Sequence, residues 1–171
     1  MTDSAPVDDT TLTEQSRQLG AGLLESQWRI TVAESCTGGW LAKCITDIAG
    51  SSEYFQRGWV TYSNAAKAEE LGVDPAMLDK HGAVSETVVA AMATGALLRA
   101  GADIALAVSG IAGPGGGTAD KPVGTVTFAV ANRNAGVIVA ETCLFYGDRE
   151  AIRRASVSHV LGLALRCLEN R

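Results

Sequence analysis

Serine, lysine and tyrosine recur in this sequence where strands give way to helices, and the first such junction carries Ser35. Ile30 and Val32 alternate as β-branched residues suited to a strand. The chain then turns small and polar through Ser35, Cys36, Thr37, Gly38 and Gly39 before an amphipathic run starts at Trp40. At such a corner a side chain sits at the strand's carboxyl end, while free N–H groups of the next helix's first turn point at whatever binds there. Gly38 and Gly39 remove β-carbons that would hold a ligand off the backbone. The corner therefore offers a nucleophile, Ser35 or Cys36, beside backbone donors around Thr37 to Gly39. An ordinary Ser/Thr helix cap followed by two glycines for tight packing has the same signature.

A second strand end feeds a helix at Thr61-Tyr62-Ser63-Asn64-Ala65-Ala66-Lys67. On a helix starting near Ser63, Lys67 lies one turn from the amino end, where the helix dipole disfavours an ammonium. A lysine acting as a base near neutrality needs its pKa lowered by about 3 units, roughly 4 kcal/mol of burial and electrostatics. Further on, Ser109 and Gly110 open a loop with Gly113, Gly115, Gly116 and Gly117, a run of backbone N–H groups with little steric cover, suited to phosphate or carboxylate oxygens. It lacks the Gly-Lys-Ser/Thr of a Walker A loop, and its spacing is wrong for a dinucleotide fingerprint. Arg149, behind the helix-capping Asp148, could offer a forked donor to a phosphate. The two histidines, His81 and His159, are far apart and have no ligands at metal spacing, so no metal centre and no cofactor are expected.

The elements that would position these groups follow from periodicity. Residues 1–9 read as a frayed acidic tail with Asp3, Asp8 and Asp9, and residues 10–171 as one domain. A helix is predicted from Thr10 to about Gln27, capped by Asp9 or Thr10, and the Ile30 strand follows. Another helix runs from Trp40 to Gly50. Residues 54–62 read as a strand with Gly58 at a bulge or close contact. Short helices are expected from Ser63 to Leu71 and from Pro75 to Gly82, and a longer one from Ser85 to Ala100. Ile104 to Val108 reads as a strand covered on both faces. Strands at 123–131 and 136–144 form a hairpin, and a helix from Asp148 to Glu169 closes the chain. The fold class is α/β: a three-layer α/β/α sandwich with a mixed, mostly parallel sheet and one hairpin.

Composition narrows the function. The 171 residues are 47% hydrophobic and carry a formal net charge of −5, so one well-cored domain is expected and no broad basic face for nucleic acid. The four cysteines form no Cys-x-x-Cys pair, no signal peptide is read at the amino end, and no apolar run reaches the ~20 residues of a membrane span; a cytoplasmic protein with no membrane partner is expected. The closing helix is apolar on more than one side near Val160, Leu161, Leu163, Leu165 and Leu168. Either the chain itself covers those residues or a second subunit does; a homo-oligomer, dimer or trimer, is expected.

Six ordered motifs, Ala33-Glu-Ser-Cys-Thr-Gly-Gly39, Tyr62-Ser-Asn-Ala-Ala-Lys67, His81-Gly-Ala-Val-Ser-Glu86, Ser109-Gly-Ile-Ala-Gly-Pro-Gly-Gly-Gly117, Lys121-Pro-Val-Gly124 and Gly147-Asp-Arg149, resemble the CinA carboxyl-terminal domain family of nicotinamide mononucleotide deamidases. The resemblance runs from about Leu12 to Leu168 and is to the stand-alone form, without the amino-terminal domain of many CinA proteins. It implies metal-free hydrolysis of the carboxamide of a small nucleotide, nicotinamide mononucleotide, in pyridine nucleotide recycling. It also implies a serine–lysine mechanism mapping onto Ser35 and Lys67, with Tyr62 nearby and Arg149 in the site. Two rival readings stand beside it: a Cys36 nucleophile, for which no histidine partner is evident, and a catalytically silent nucleotide-binding or interaction module linked to competence or DNA damage.

Overall fold

The computed structural model describes residues 7–169 and builds them as β1 (Ile30–Glu34), β2 (Phe55–Val60), β3 (Ile104–Gly110), β4 (Thr125–Asn132) and β5 (Gly136–Leu144) with six helices. The helices are α1 (Asp9–Ser26), α2 (Trp40–Thr46), α3 (Asn64–Leu71), α4 (Pro75–His81), α5 (Glu86–Ala100) and α6 (Arg149–Glu169). The strands form one sheet in the order β2-β1-β3-β4-β5. β1 pairs in parallel with both β2 and β3, whereas β4 is antiparallel to β3 and β5, so only β4 runs against the other strands. This is the expected three-layer mixed α/β sandwich, hairpin included.

The two faces of the sheet differ in side-chain size. Ile30, Val32, Leu106, Val108, Phe128 and Val130 project toward α1, α2 and α6 and make the larger core. The alternate positions, Ala33, Ala105, Ala107, Ala129 and Ala131, meet α3, α4 and α5. Alanine on that face lets α5 lie close to the sheet, and α5 answers with its own small residues, Ala93 and Ala96. A β-carbon on Gly95 would fall 2.0 Å from the Leu71 carbonyl oxygen, so α5 also needs glycine where it crosses the end of α3.

The chain leaves β1 for β2 on one side of the sheet and later inserts β3 on the other side of β1. The carboxyl ends of β1 and β3 therefore diverge at a switch in winding direction, where open α/β sheets leave a crevice. Ser35 and Ser109 stand at those two ends, and the Ser35 N–H donates to the Val108 carbonyl at 2.9 Å.

Several boundaries differ from the expectation. Asp8, not Asp9 or Thr10, caps α1 by accepting the Thr11 N–H, and Asp9 pairs with Arg154, so the acidic tail does not extend to residue 9; residues 1–6 lie outside the described residues. α2 stops at Thr46, short of Gly50. Gly58 sits at a register shift against β1, where a β-carbon would lie 2.6 Å from Val32 Cγ2. Val160, Leu161, Leu163 and Leu168 are buried within the chain, against the larger core and α1, so no second subunit is required to cover them.

Candidate active site

The crevice holds a cavity of about 280 Å³ lined by Ser35, Cys36, Tyr62, Asn64 and Lys67 on one side and by Ala83, Val84, Ser109 to Gly113, Gly115, Gly116 and Arg149 on the other. Five separated motifs of the sequence meet there.

Lys67 has almost no solvent exposure, 1%, and ranks with Phe128 among the largest fully buried side chains of the described residues. The Ser63 cap and the first turn of α3 aim it back under the end of β1, where Nζ donates to the Thr61 carbonyl at 2.8 Å and the Tyr62 carbonyl at 3.4 Å. The third neighbour of Nζ is Ser35 Oγ at 3.0 Å. Among the described residues no carboxylate pairs with Lys67, and burial holds its ammonium below the ordinary lysine range. A neutral amine suits these surroundings: its two N–H groups serve the two carbonyls, and its lone pair faces the Ser35 hydroxyl.

Cys36 also borders the cavity, but burial pushes its thiol up to about 12, so it stays protonated at neutral pH. The thiol next to Ser35 therefore makes a poor nucleophile.

Tyr62 lines the same cavity and points its hydroxyl at α6. Its hydroxyl accepts from Arg149 Nη2 at 2.9 Å, and the residue is 58% exposed. Arg149, the first residue of α6, also donates to the Gly113 carbonyl, so Tyr62, Arg149 and the glycine loop form one rim of the cavity. Gly113 takes φ of 78°, and a β-carbon there would fall 2.5 Å from Val123 Cγ1; only glycine lets the loop turn at this point. Gly115 has open space around it and faces the cavity. Ser109 is buried and donates through Oγ to the Ala83 carbonyl at 2.8 Å, which fixes the loop before α5 as the far wall.

Thr37, Gly38 and Gly39 do not join this cavity. Gly38 and Gly39, with φ of 60° and 97°, turn the chain away, and both border a separate cleft with Trp40, Lys43 and Arg153. Their N–H groups are already accepted, that of Gly38 by the Ser35 carbonyl and that of Gly39 by the Glu34 carboxylate. Thr37 is fully buried, and its hydroxyl has no hydrogen-bond partner among the described residues.

Two residues that the sequence reading assigned no role build this corner. Glu34 is fully buried and its carboxylate accepts from the N–H groups of Gly39 (3.1 Å), Leu41 (3.1 Å) and Ala42 (2.8 Å), so it satisfies the start of α2 from the end of β1. Arg153, one turn beyond Arg149 on α6, donates from Nε to the Cys36 carbonyl and from Nη2 to the Thr37 carbonyl at 3.0 and 2.9 Å. An acidic residue just before a polar corner, and arginines four apart on one helix face, were the available signals. The metal reading also missed a contact: His159 lies beside Glu141 and Cys143, which it reaches only after α6 packs on β5.

Comparison with known proteins gives the family. Residues 12–168 match the CinA C-terminal domain. A nicotinamide-nucleotide amidohydrolase PncC of Enterobacter agglomerans is 57% identical over 155 residues, covering 91% of this chain and 94% of that protein, and its counterpart in Escherichia coli K12 is 54% identical over 153 residues, covering 90% and 92%. Among solved structures, the competence/damage inducible protein CihA of Agrobacterium tumefaciens superposes with a TM-score of 0.89 at 42% identity, covering 96% of this chain and 99% of that one. A CinA superfamily protein of Klebsiella pneumoniae gives 0.89 at 39% identity, covering 94% and 99%. With residues 12–168 matched by the family and more than half of the aligned positions identical to the two PncC relatives over most of both chains, the chain belongs to the CinA C-terminal domain family.

Proposed function

We propose that this protein is an amidohydrolase that converts nicotinamide mononucleotide to nicotinate mononucleotide and ammonia, with Ser35 as nucleophile and Lys67 as base. The names of the relatives supply the substrate. The observation that carries the mechanism is a lysine buried to 1% exposure, without a carboxylate partner among the described residues, 3.0 Å from a serine hydroxyl that borders the cavity.

An amide is poorly electrophilic, so its hydrolysis needs an activated nucleophile, a stabilised oxyanion and a proton for the leaving amine. Neutral Lys67 takes the Ser35 proton as Oγ bonds to the carboxamide carbon. The tetrahedral oxyanion is met by backbone N–H at the corner. With those of Gly38 and Gly39 already engaged, Cys36, which borders the cavity, is the donor. The Lys67 ammonium then protonates the departing nitrogen, the C–N bond breaks, ammonia leaves and a nicotinoyl ester remains on Ser35. Lys67, neutral again, deprotonates a water that attacks the ester, and the proton returns to Ser35 Oγ as the acid is released. Arg149 and the N–H groups of the Gly113 to Gly116 loop hold the phosphate and ribose, with Tyr62 stacking or hydrogen bonding at the rim.

The competing reading, a silent nucleotide-binding module, leaves a buried, depressed lysine against a serine without a use. Incubating the purified protein with nicotinamide mononucleotide and measuring ammonia and nicotinate mononucleotide together separates the two. Equal amounts of both products support the enzyme; nucleotide binding without either product overturns it.

A further inference from the structure

Away from the cavity, the edge strand β5 and the middle of α6 bring three metal-ligating side chains together. Glu141 and Cys143 alternate along β5 and so share one face of the sheet, and α6 lays His159 over them. His159 Nε2 is 2.6 Å from Glu141 Oε1 and 3.5 Å from Cys143 Sγ, and Cys143 Sγ is 3.9 Å from Glu141 Oε1. The imidazole is held by aromatic neighbours, its centroid 4.7 Å from that of Phe128 and 5.8 Å from that of Phe145. None of the three ligands borders the Ser35 cavity.

We propose that Glu141, Cys143 and His159 form a binding site for a thiophilic divalent cation, with zinc the best match. Zinc–sulfur bonds of about 2.3 Å and zinc–nitrogen or zinc–oxygen bonds of about 2.0–2.2 Å at tetrahedral angles put ligand atoms roughly 3.4–3.6 Å apart. The Sγ to Nε2 separation already has that length, and Sγ to Oε1 is a few tenths of an ångström long. Only the Nε2 to Oε1 contact is too short, because a hydrogen bond occupies it. Opening it needs less than about 1 Å of movement by a glutamate side chain that is 39% exposed, with the imidazole proton carried on Nδ1. A mixed sulfur, nitrogen and oxygen set disfavours magnesium and calcium, which require oxygen ligands. The exposed side of Glu141 leaves an entry path and a fourth position for water. The bound ion would tie β5 to the helix whose first turns carry Arg149 and Arg153. It supports the fold and takes no part in catalysis.

The test is a titration of metal-free, reduced protein with cobalt(II), followed by displacement with zinc. One equivalent should produce the near-ultraviolet thiolate-to-cobalt charge-transfer band and intense tetrahedral d–d bands, both removed by zinc. Cys143→Ser should lose the charge-transfer band, and Glu141→Gln should weaken binding. Zinc should raise the melting temperature of the wild type but not of Cys143→Ser, while ammonia release by the wild type is unchanged by a chelator. A weak six-coordinate spectrum, no saturable band in the wild type, or a band that persists in Cys143→Ser would overturn the proposal, the last by assigning the metal to Cys36, Cys44 or Cys167.

Discussion

Replacing Glu34 by glutamine changes one atom of the carboxylate that closes the start of α2. The amide oxygen can keep the Gly39 and Leu41 N–H groups, both 3.1 Å from Oε2, but the amide nitrogen then faces the Ala42 N–H that Oε1 accepted at 2.8 Å. One charge-assisted bond, worth about 1.5–3 kcal/mol, is lost to two donors in opposition. The other two weaken from charged to neutral strength, roughly 1 kcal/mol each. The sum, about 3–5 kcal/mol, is large because Glu34 is fully buried and no water replaces the lost acceptor. For a chain of this size each kcal/mol moves the melting temperature by about 2–4 °C, so Glu34→Gln should melt roughly 10 °C below the wild type. Since Ser35 follows Glu34 directly, kcat should fall as well, with KM less affected. Thermal unfolding by circular dichroism, beside kcat and KM at a temperature where both proteins are folded, measures this. A melting temperature within about 2 °C of the wild type would refute the capping role.

The remaining predictions concern the cavity. Because burial lowers the Lys67 pKa and the neutral amine is the active form, kcat/KM should rise with pH through an inflection below the ordinary 10.5, and Lys67→Arg, which cannot lose its proton, should be as inactive as Lys67→Ala. The same shift makes Lys67 cost stability as pH falls from the unfolded pKa toward the folded one, and below the folded value the cost is constant. Lys67→Met should remove that slope from the pH dependence of unfolding. Arg149→Ala should lower kcat/KM for nicotinamide mononucleotide by about 10- to 100-fold but leave that for the phosphate-free riboside nearly unchanged; equal losses would remove Arg149 from phosphate binding. Arg153 positions the nucleophile corner through two carbonyls, so Arg153→Met should lower kcat with little change in KM, and Arg153→Lys should restore only part of it.

Local signals in the sequence located most of the scaffold. Ser63 and Gly72 bracket α3, Asp74 and Pro75 open α4, Ser85 caps α5 and Asp148 caps α6, each by a bond within a few residues along the chain. Ser35 and Lys67, which the fold brings to 3.0 Å, stood out in the sequence because both lie at strand-to-helix junctions. What escaped depends on how distant elements pack. Gly38 and Gly39 look like a ligand cradle in one dimension, yet their N–H groups are spent on Ser35 and Glu34 once the corner folds. Arg153 reaches Cys36 and Thr37 only because α6 crosses the corner, and Arg149 reaches the Tyr62 hydroxyl for the same reason. Spacing along the chain likewise hides His159 from Glu141 and Cys143. Periodicity left open whether the chain itself or a second subunit covers the apolar second side of α6, because it counts apolar residues without knowing that α1 packs there.

The central claim is that Ser35, activated by Lys67, attacks the amide, while Cys36 beside it remains a buried thiol. The most direct measurement is single-turnover ammonia release from nicotinamide mononucleotide by Ser35→Ala and Cys36→Ala beside the wild type, with nucleotide binding measured on the same samples. The account predicts that Ser35→Ala binds the nucleotide and releases no ammonia above background, and that Cys36→Ala keeps most of the wild-type rate. Ammonia release by Ser35→Ala at a rate comparable to the wild type, or its loss in Cys36→Ala with binding intact, would contradict it.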